Sequence, residues 1–261
     1  MQMYATERHE QIERLLAAQG RVSVVDLADR FEVTTETIRR DLDHLESAGA
    51  LRRVHGGAVG PERGSTREPS LAERRDHHGT AKEAIGRRAL DALGRDFTGS
   101  VFLDAGTTTA AVASALVPRL ADAPIEVVTH SLTLGNALAG VPGASLSFVG
   151  GRVRGLTAAA VGADTVQAIG GMRPDVAFVG TNGVSASFGL STPDPDEAAV
   201  KRAIVASARR VVVVADAEKL GAELLVGFAS LSDVDVLVTD AAPDPELADA
   251  LADADVEVWL A

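Results

Sequence analysis

Thr35, Glu36, Arg39, Arg40 and Asp43 fall on one side of a stretch whose apolar residues, Ile38, Leu42 and Leu45, recur at helical spacing. One face of that helix is committed to a core and the other is offered to a partner. Guanidinium forks match guanine edges and phosphate oxygens, and a threonine hydroxyl can meet a base edge or the nucleic-acid backbone. That chemistry is recognition of duplex DNA. The plainer alternative is that Arg39 and Arg40 pair with Glu36 and Asp43 on a solvated face.

The surrounding elements must decide how this helix is presented. Thr34 or Thr35 can cap its start, and Gly49 stands where a left-handed residue would stop it. Upstream, Ile12, Leu15 and Leu16 mark a first helix, and Ser23 to Asp26 has the form of a capping box opening a second through Val25, Leu27, Ala28 and Phe31. A short turn at Glu32, Val33 and Thr34 then leads into the helix that carries the arginines. This order is a helix-turn-helix, in which the later helix enters the major groove. Ala50 to Arg53 reads as a short strand, and Gly56-Gly57 turns the chain back into Ala58-Val59, which adds a wing.

A second constellation follows a run of apolar strands. Ser100–Leu103 ends in Asp104, Ile125–Val128 in Thr129-His130-Ser131, and Ala144–Val149 in Gly150-Gly151. Further on, Val176–Val179 ends in Gly180, Arg210–Ala215 in Asp216, and Val234–Val238 in Thr239-Asp240, with helical segments between. The alternation predicts an α/β domain with a mainly parallel sheet, whose ligands bind outside the carboxyl ends of the strands. Asp104, Thr129, His130, Gly150, Gly151, Asp216 and Lys219 are therefore candidate pocket residues. Gly106 followed by Thr107, Thr108 and Thr109 offers backbone N–H groups at a helix start to an anion such as phosphate, or else forms an ordinary cap. It matches neither the ATP-binding phosphate loop nor the dinucleotide fingerprint, so no cofactor is expected. Glu197 and Lys201 stand at i and i+4, spacing that suits a surface ion pair or, alternatively, a carboxylate and an ammonium for a sugar phosphate.

Length and charge bound these readings. The chain of 261 residues is 46% hydrophobic and holds no cysteine, which leaves no disulfide or thiolate metal site. Its N-terminus lacks the apolar segment of a signal peptide, and no apolar run reaches a membrane span, so a cytoplasmic protein without membrane attachment is expected. The formal net charge of −12 confines any DNA footprint to local cations at Arg39, Arg40, Arg52, Arg53 and His55. Few phosphate contacts per subunit imply that more than one subunit engages the DNA.

The ordered series from Arg8 and Ile12 through Gly20 to Val24, Asp26 to Ala28, Phe31 to Thr34, Thr37 to Leu42 and Arg53 to Ala58 resembles the DNA-binding domain of the DeoR family of bacterial transcriptional regulators. Beyond Arg67 to Pro69 and Leu71 to Arg74, the matches at Phe102 to Asp104, Gly106 to Thr109, Gly150-Gly151, Asp175 to Gly180, Glu197, Lys201, Asp216 and Lys219 are similar to the family's sensor domain. Three positions depart from the usual pattern: Thr34 for serine, His130 for asparagine and Leu220 for an aromatic residue.

The resemblance implies an α/β sensor domain with a sugar-phosphate isomerase-like fold and a mainly parallel sheet, joined to an N-terminal winged helix-turn-helix domain. Boundaries follow at 1–60 for DNA binding, 61–78 for a linker rich in Pro, Gly and charge, and 79–261 for the sensor. It also implies a homodimer or homotetramer that represses a sugar-utilisation operon until a phosphorylated sugar binds. The wording at Tyr4 to Glu10 and Arg52 to Val59 looks nearest to actinobacterial fructose-operon repressors, which points to fructose 1-phosphate. The DNA-facing set so implied is Ser23, Thr34, Thr35, Thr37, Arg39, Arg40, Arg52, Arg53, His55, Gly56 and Gly57. Arg152, Arg154, Lys201 and Lys219 are the cations assigned to the phosphate. A rival reading is a sugar-phosphate isomerase carrying a DNA-binding arm, with Glu197 or Asp216 as its base.

Overall fold

The computed structural model describes residues 5–19, 21–47, 50–54, 56–59, 65–66 and 68–261. The chain divides into two compact units, Met1–Gly64 and Ser65–Ala261.

The first unit comprises α1 (Ala5–Gln19), β1 (Arg21–Ser23), α2 (Val24–Phe31), α3 (Thr35–Ser47), β2 (Arg52–Val54) and β3 (Gly57–Val59). Ile12, Leu27, Ile38, Leu42, Leu45 and Ala58 pack its core, so the helical spacing of apolar residues marks the buried faces, except at Val25, which is exposed while Val24 turns inward. Ser23 Oγ accepts from the Asp26 amide at 3.2 Å to cap α2, and Thr34 Oγ1 accepts from the Thr37 amide at 3.2 Å to cap α3. One strand was not foreseen. β1 pairs antiparallel with β3, so the wing is three-stranded, in the order β1-β3-β2. A side chain at Gly57 would meet the Val22 carbonyl at 2.0 Å, so glycine is what lets these strands close. Gly49 lies outside the described residues.

The second unit opens with α4 (Leu71–Asp76), inside the stretch expected to be a linker. The Ser70 hydroxyl and the Glu73 carboxylate cap that helix reciprocally, a local signal outweighed by the Pro, Gly and charge content around it. Next come α5 (Gly79–Ala89), β4 (Gly99–Leu103), α6 (Thr107–Leu120), β5 (Ile125–Thr129), α7 (Leu132–Leu138) and β6 (Ser145–Phe148). A hairpin of β7 (Arg152–Arg154) and β8 (Ala159–Val161) leads to α8 (Ala163–Gly170) and β9 (Val176–Gly180). The chain then forms β10 (Gly183–Ser185), β11 (Gly189–Thr192), α9 (Pro195–Ser207), β12 (Val211–Val214) and β13 (Val226–Ala229). It ends with β14 (Val236–Thr239), α10 (Pro245–Asp253) and β15 (Glu257–Leu260).

Among the described residues, the main sheet is seven-stranded and wholly parallel, in the order β15-β14-β12-β9-β4-β5-β6. Alternate residues of its central strands point to opposite faces. Phe102, Ala177, Val179, Val211 and Val213 pack with Ile169, Val200, Ile204 and Leu247 on one side. Val101, Leu103, Phe178, Val212 and Val214 pack with Ile85, Val112, Leu116 and Leu134 on the other. Burial on both faces explains why these strands read as continuous apolar runs. The chain proceeds from β4 outward to β5 and β6, then returns to β9 and continues in the opposite direction. The point where strand order reverses therefore lies between β4 and β9.

In the first unit Asp41 on α3 accepts from Arg8 Nε at 2.5 Å and Arg8 Nη2 at 2.9 Å, and His9 Nε2 lies 2.9 Å away. This buried fork ties α1 to the arginine-bearing helix. Burial pushes the Asp41 carboxyl up, but Arg8 and then His9 outweigh that and hold it below its ordinary value. A lowered carboxylate contributes stability above its unfolded value and loses it as pH falls through the folded one. Asp41→Ala should cost the unit about 2 kcal/mol, measured by chemical denaturation at neutral pH, and the deficit should shrink under acid; equal midpoints for both proteins at neutral pH would refute it.

Candidate functional site

In the first unit the reading face of α3 is open to solvent. Arg39 and Arg40 contact Glu36 only at 3.7 and 3.5 Å, and their side chains are 54% and 80% exposed. Pairs that long and that exposed contribute little, so both arginines can exchange Glu36 for a phosphate or base edge. Thr35 is exposed beside them. Other expected DNA contacts have local duties. Arg53 is paired through Nη1 with Asp43, and its amide donates to Glu46 at 2.7 Å. The hydroxyls of Ser23, Thr34 and Thr37 serve the helix caps, and Gly56, with φ of +80°, makes the wing turn. His55 and the Arg52 side chain lie outside the described residues.

In the second unit the reversal point holds a buried charge. Asp104 follows β4 and is fully buried. Its Oδ1 accepts from the Ala105 amide at 2.8 Å and lies 3.0 Å from His130 Nε2, while its Oδ2 accepts from the Gly180 amide at 3.0 Å and from Lys201 Nζ. Burial by itself would raise this carboxyl. The Lys201 charge, followed by His130, overrides that and brings it to about 2. Lys201 Nζ also donates to the Gly180 carbonyl at 2.8 Å, and His130 Nδ1 lies 2.8 Å from the Ala160 carbonyl. One carboxylate thus joins the ends of β4, β5 and β9 to α9.

One turn earlier on α9, Glu197 faces a different partner. It accepts from Arg154 Nη1 at 3.2 Å and from the Thr157 hydroxyl. The i, i+4 spacing therefore does not make Glu197 and Lys201 a pair. Both are buried, and each is claimed by a charge from another element. Arg154 also reaches Asp194 at 3.0 Å and Glu68 at 2.7 Å, with Arg74 of α4 on the far side of Glu68 at 3.6 Å. Beyond it, buried Lys82 donates to the Arg74 and His77 carbonyls at 2.6 Å each. Burial pushes the Lys82 ammonium down, against the opposing charge of Asp216. Asp216 is buried with Oδ1 unpartnered, as is Thr239 Oγ1. Lys219 closes the 3₁₀ turn Ala217–Lys219, whose Glu218 lies 2.9 Å from His78.

These contacts sort the expected pocket residues. Asp104, His130 and Lys201 come together; Asp216 and Lys219 form a second polar group with Lys82. Thr129 uses its hydroxyl on the Leu103 carbonyl at 2.7 Å and the Ser131 amide at 3.1 Å. Gly150 accepts from Thr165 Oγ1 at 2.9 Å, and a side chain at Gly151 would strike that same oxygen. Arg152 lies at the surface against Asp196. At the start of α6, Thr109 donates to the Gly106 carbonyl at 3.0 Å, and no side chain caps the helix. Thr107 and Thr108 are half-buried beside it, so the first-turn amides keep their capacity for an anion. Glu68 and Lys82 escaped the sequence reading because burial of a lone charged residue in a polar stretch has no periodic signature.

Two family models account for the chain. The DeoR-like helix-turn-helix domain matches residues 8–63, and the DeoR C terminal sensor domain matches residues 77–241. The protein belongs to the DeoR family of transcriptional regulators. Among relatives of this DeoR protein, the HTH-type transcriptional regulator GlpR of Haloferax volcanii is 37% identical over 256 residues, 98% of each chain. The glycerol-3-phosphate regulon repressor of Escherichia coli is 33% identical over 258 residues, covering 99% of this chain and 100% of its own. Ribose 5-phosphate isomerase A of Methanocaldococcus jannaschii aligns with 53% of each chain at a TM-score of 0.40 and 17% identity. The family's two-part organisation is the one seen here: a winged helix-turn-helix and an α/β sensor with a mainly parallel sheet. Among the described residues no helix is long and apolar enough to cross a membrane, and no group of three or more His, Asp or Glu is placed to hold a metal.

Lys201→Met leaves Asp104 without its ammonium and should destabilise the sensor unit by about 3 kcal/mol. Denaturant unfolding followed by circular dichroism reports this, and an unchanged midpoint would show that His130 and the two amides suffice. Because the Asp104 carboxyl is depressed from 3.8 to about 2, its contribution is complete above the ordinary carboxylate range and disappears as pH falls through about 2.

Proposed function

We propose that this regulator is a repressor that reads operator DNA with α3 and leaves it when a phosphorylated sugar or polyol enters the sensor unit. The observation carrying this reading is the concentration of polar side chains at the strand-order reversal: Asp104 and Lys201 there, with Arg154 joined to them through Glu197 of the same helix. Lys82, Asp216 and Lys219 add a further cationic group with an unpartnered carboxylate oxygen. Cations suit a phosphate and carboxylates suit hydroxyls, so the combination fits a sugar phosphate better than a neutral sugar. Gly106 to Thr109 adds first-turn amides for the same anion.

The curated relatives are transcriptional regulators, and one carries glycerol 3-phosphate in its name. Fructose 1-phosphate, from the sequence resemblance, and glycerol 3-phosphate are therefore the first effectors to test. Asp104 has its acceptors taken and is held anionic, which suits a fixed binding element better than the base of an isomerase. The effector must prefer the conformation that binds operator poorly, since equal affinity for both would shift nothing. Paired subunits would supply the phosphate contacts that one acidic protomer lacks, so a homodimer or homotetramer in the cytoplasm completes the reading.

Arg40→Ala should weaken operator binding at least about tenfold, roughly 1.4 kcal/mol, without altering the melting of the sensor unit. A mobility shift at fixed salt measures this, and unchanged affinity would remove α3 as the reader. In a thermal-shift panel of phosphorylated sugars, one compound should raise the melting temperature of the wild type and release the operator, because a ligand of the native state stabilises it by mass action. Lys219→Ala should blunt both effects, and full induction of that variant would exclude Lys219 from the site.

A further inference from the structure

The two buried carboxylate clusters of the sensor unit are held in opposite ways. Asp104 receives directed donors from two amides and an ammonium. The Glu68 side chain is also withdrawn from solvent, 2% exposed, yet neither of its oxygens has a well-aligned hydrogen-bond donor. Arg154 at 2.7 Å and Arg74 at 3.6 Å hold it chiefly by charge. Glu197 opposes it across the same guanidinium, and burial, followed by that like charge, pushes the Glu68 carboxyl up. A buried charge without directed bonds is a costly arrangement. An anion able to take the N–H groups of Arg154 in line would do better there.

Among the described residues, the segment that bears Glu68 is fastened by two backbone bonds ahead of Arg74, whose own carbonyl is anchored by buried Lys82 Nζ at 2.6 Å. The Leu71 amide donates to the Leu156 carbonyl at 3.2 Å, and the Leu225 amide donates to the Ser65 carbonyl at 3.0 Å. Ser70 and Glu73 cap α4 from within the segment. Glu68 is the one carboxylate that this segment contributes to the Arg154 cluster among the described residues. In sequence, the same segment comes directly after the DNA-reading unit, which ends at Gly64.

Building on the sensor reading above, we propose that Glu68 is a displaceable latch: it occupies Arg154 until a phosphate-class anion takes that guanidinium, and its departure frees residues 65–73 from the sensor unit, up to the anchor of Lys82 on the Arg74 carbonyl. Binding in the sensor is thereby converted into a change in the tether that leads to the reader. The latch and the anion compete for one cation, so each weakens the other by the same factor.

The test uses the full-length protein and inorganic phosphate as probe. Glu68→Gln keeps the size of the side chain and removes its charge. Phosphate should bind this variant about tenfold more tightly than wild type by calorimetry. Amide exchange of residues 65–73 should accelerate in the variant, and in wild type on adding phosphate, with β9 and β12 unchanged as internal controls for folding. Equal phosphate affinity in the two proteins, or a segment equally protected in all states, would overturn the latch. Should Glu68→Gln disturb β9 and β12, Glu68→Asp decides instead: a shortened but charged latch should give intermediate affinity, and wild-type affinity would overturn the proposal. The readout is separate from the sugar-phosphate panel, so the latch can fail while the sensor reading stands, and a panel without binders fails the sensor reading whatever the exchange data show.

Discussion

A carboxylate without access to water is stable only if the protein replaces the water completely. Asp104 sets that requirement for the sensor unit. It sits where strand order reverses, and its compensation comes from four directions: Lys201 on α9, His130 after β5, the Gly180 amide at the end of β9 and the Ala105 amide beside it. Satisfying one side chain therefore fixes the relative positions of four segments. The same geometry sends Lys201 inward and leaves Glu197, one turn earlier, for Arg154.

Charge is used differently at each place in this molecule. Arg8 and Asp41 are matched in line and hold α1 to α3, a contact whose value lies in its rigidity. Arg39 and Arg40 are loosely paired with Glu36 on an exposed face, so exchanging that partner would cost little. Glu68 and half-buried Arg154 are poorly aligned, an arrangement intermediate between a structural bond and an open site. Alignment and exposure, more than the number of charges, separate what holds the fold from what can exchange partners.

The acidic balance of the chain is consistent with a DNA-binding role once charge is considered locally. A net charge of −12 over 261 residues repels a phosphate backbone at long range. On α3, exposed Arg39 and Arg40 stand among short hydroxyls, with the carboxylates of Glu36 and Asp43 beside them. A reader with so few cations gains specificity from base edges and takes little affinity from bulk charge.

Much of the architecture was legible in the sequence because it rests on short-range patterns. Helical spacing at Ile38, Leu42 and Leu45, the capping hydroxyls of Ser23 and Thr34, and the apolar runs ending in Asp104, Gly180 and Asp216 all act within a few residues, and the chain folds as they dictate. Strands such as β1, β7 and β10 were invisible because three residues carry no periodicity and exist only through their partners. Side-chain partnership was hidden for the same reason. Nothing local distinguishes Glu197 with Lys201 from an ordinary surface pair, or Glu68 from the charged residues around it. Only the tertiary structure, by excluding water at β4 and β9 and bringing α4 and β7 to one cluster, decided which charges face each other, since burial is a property of the whole chain and spacing is a property of a segment.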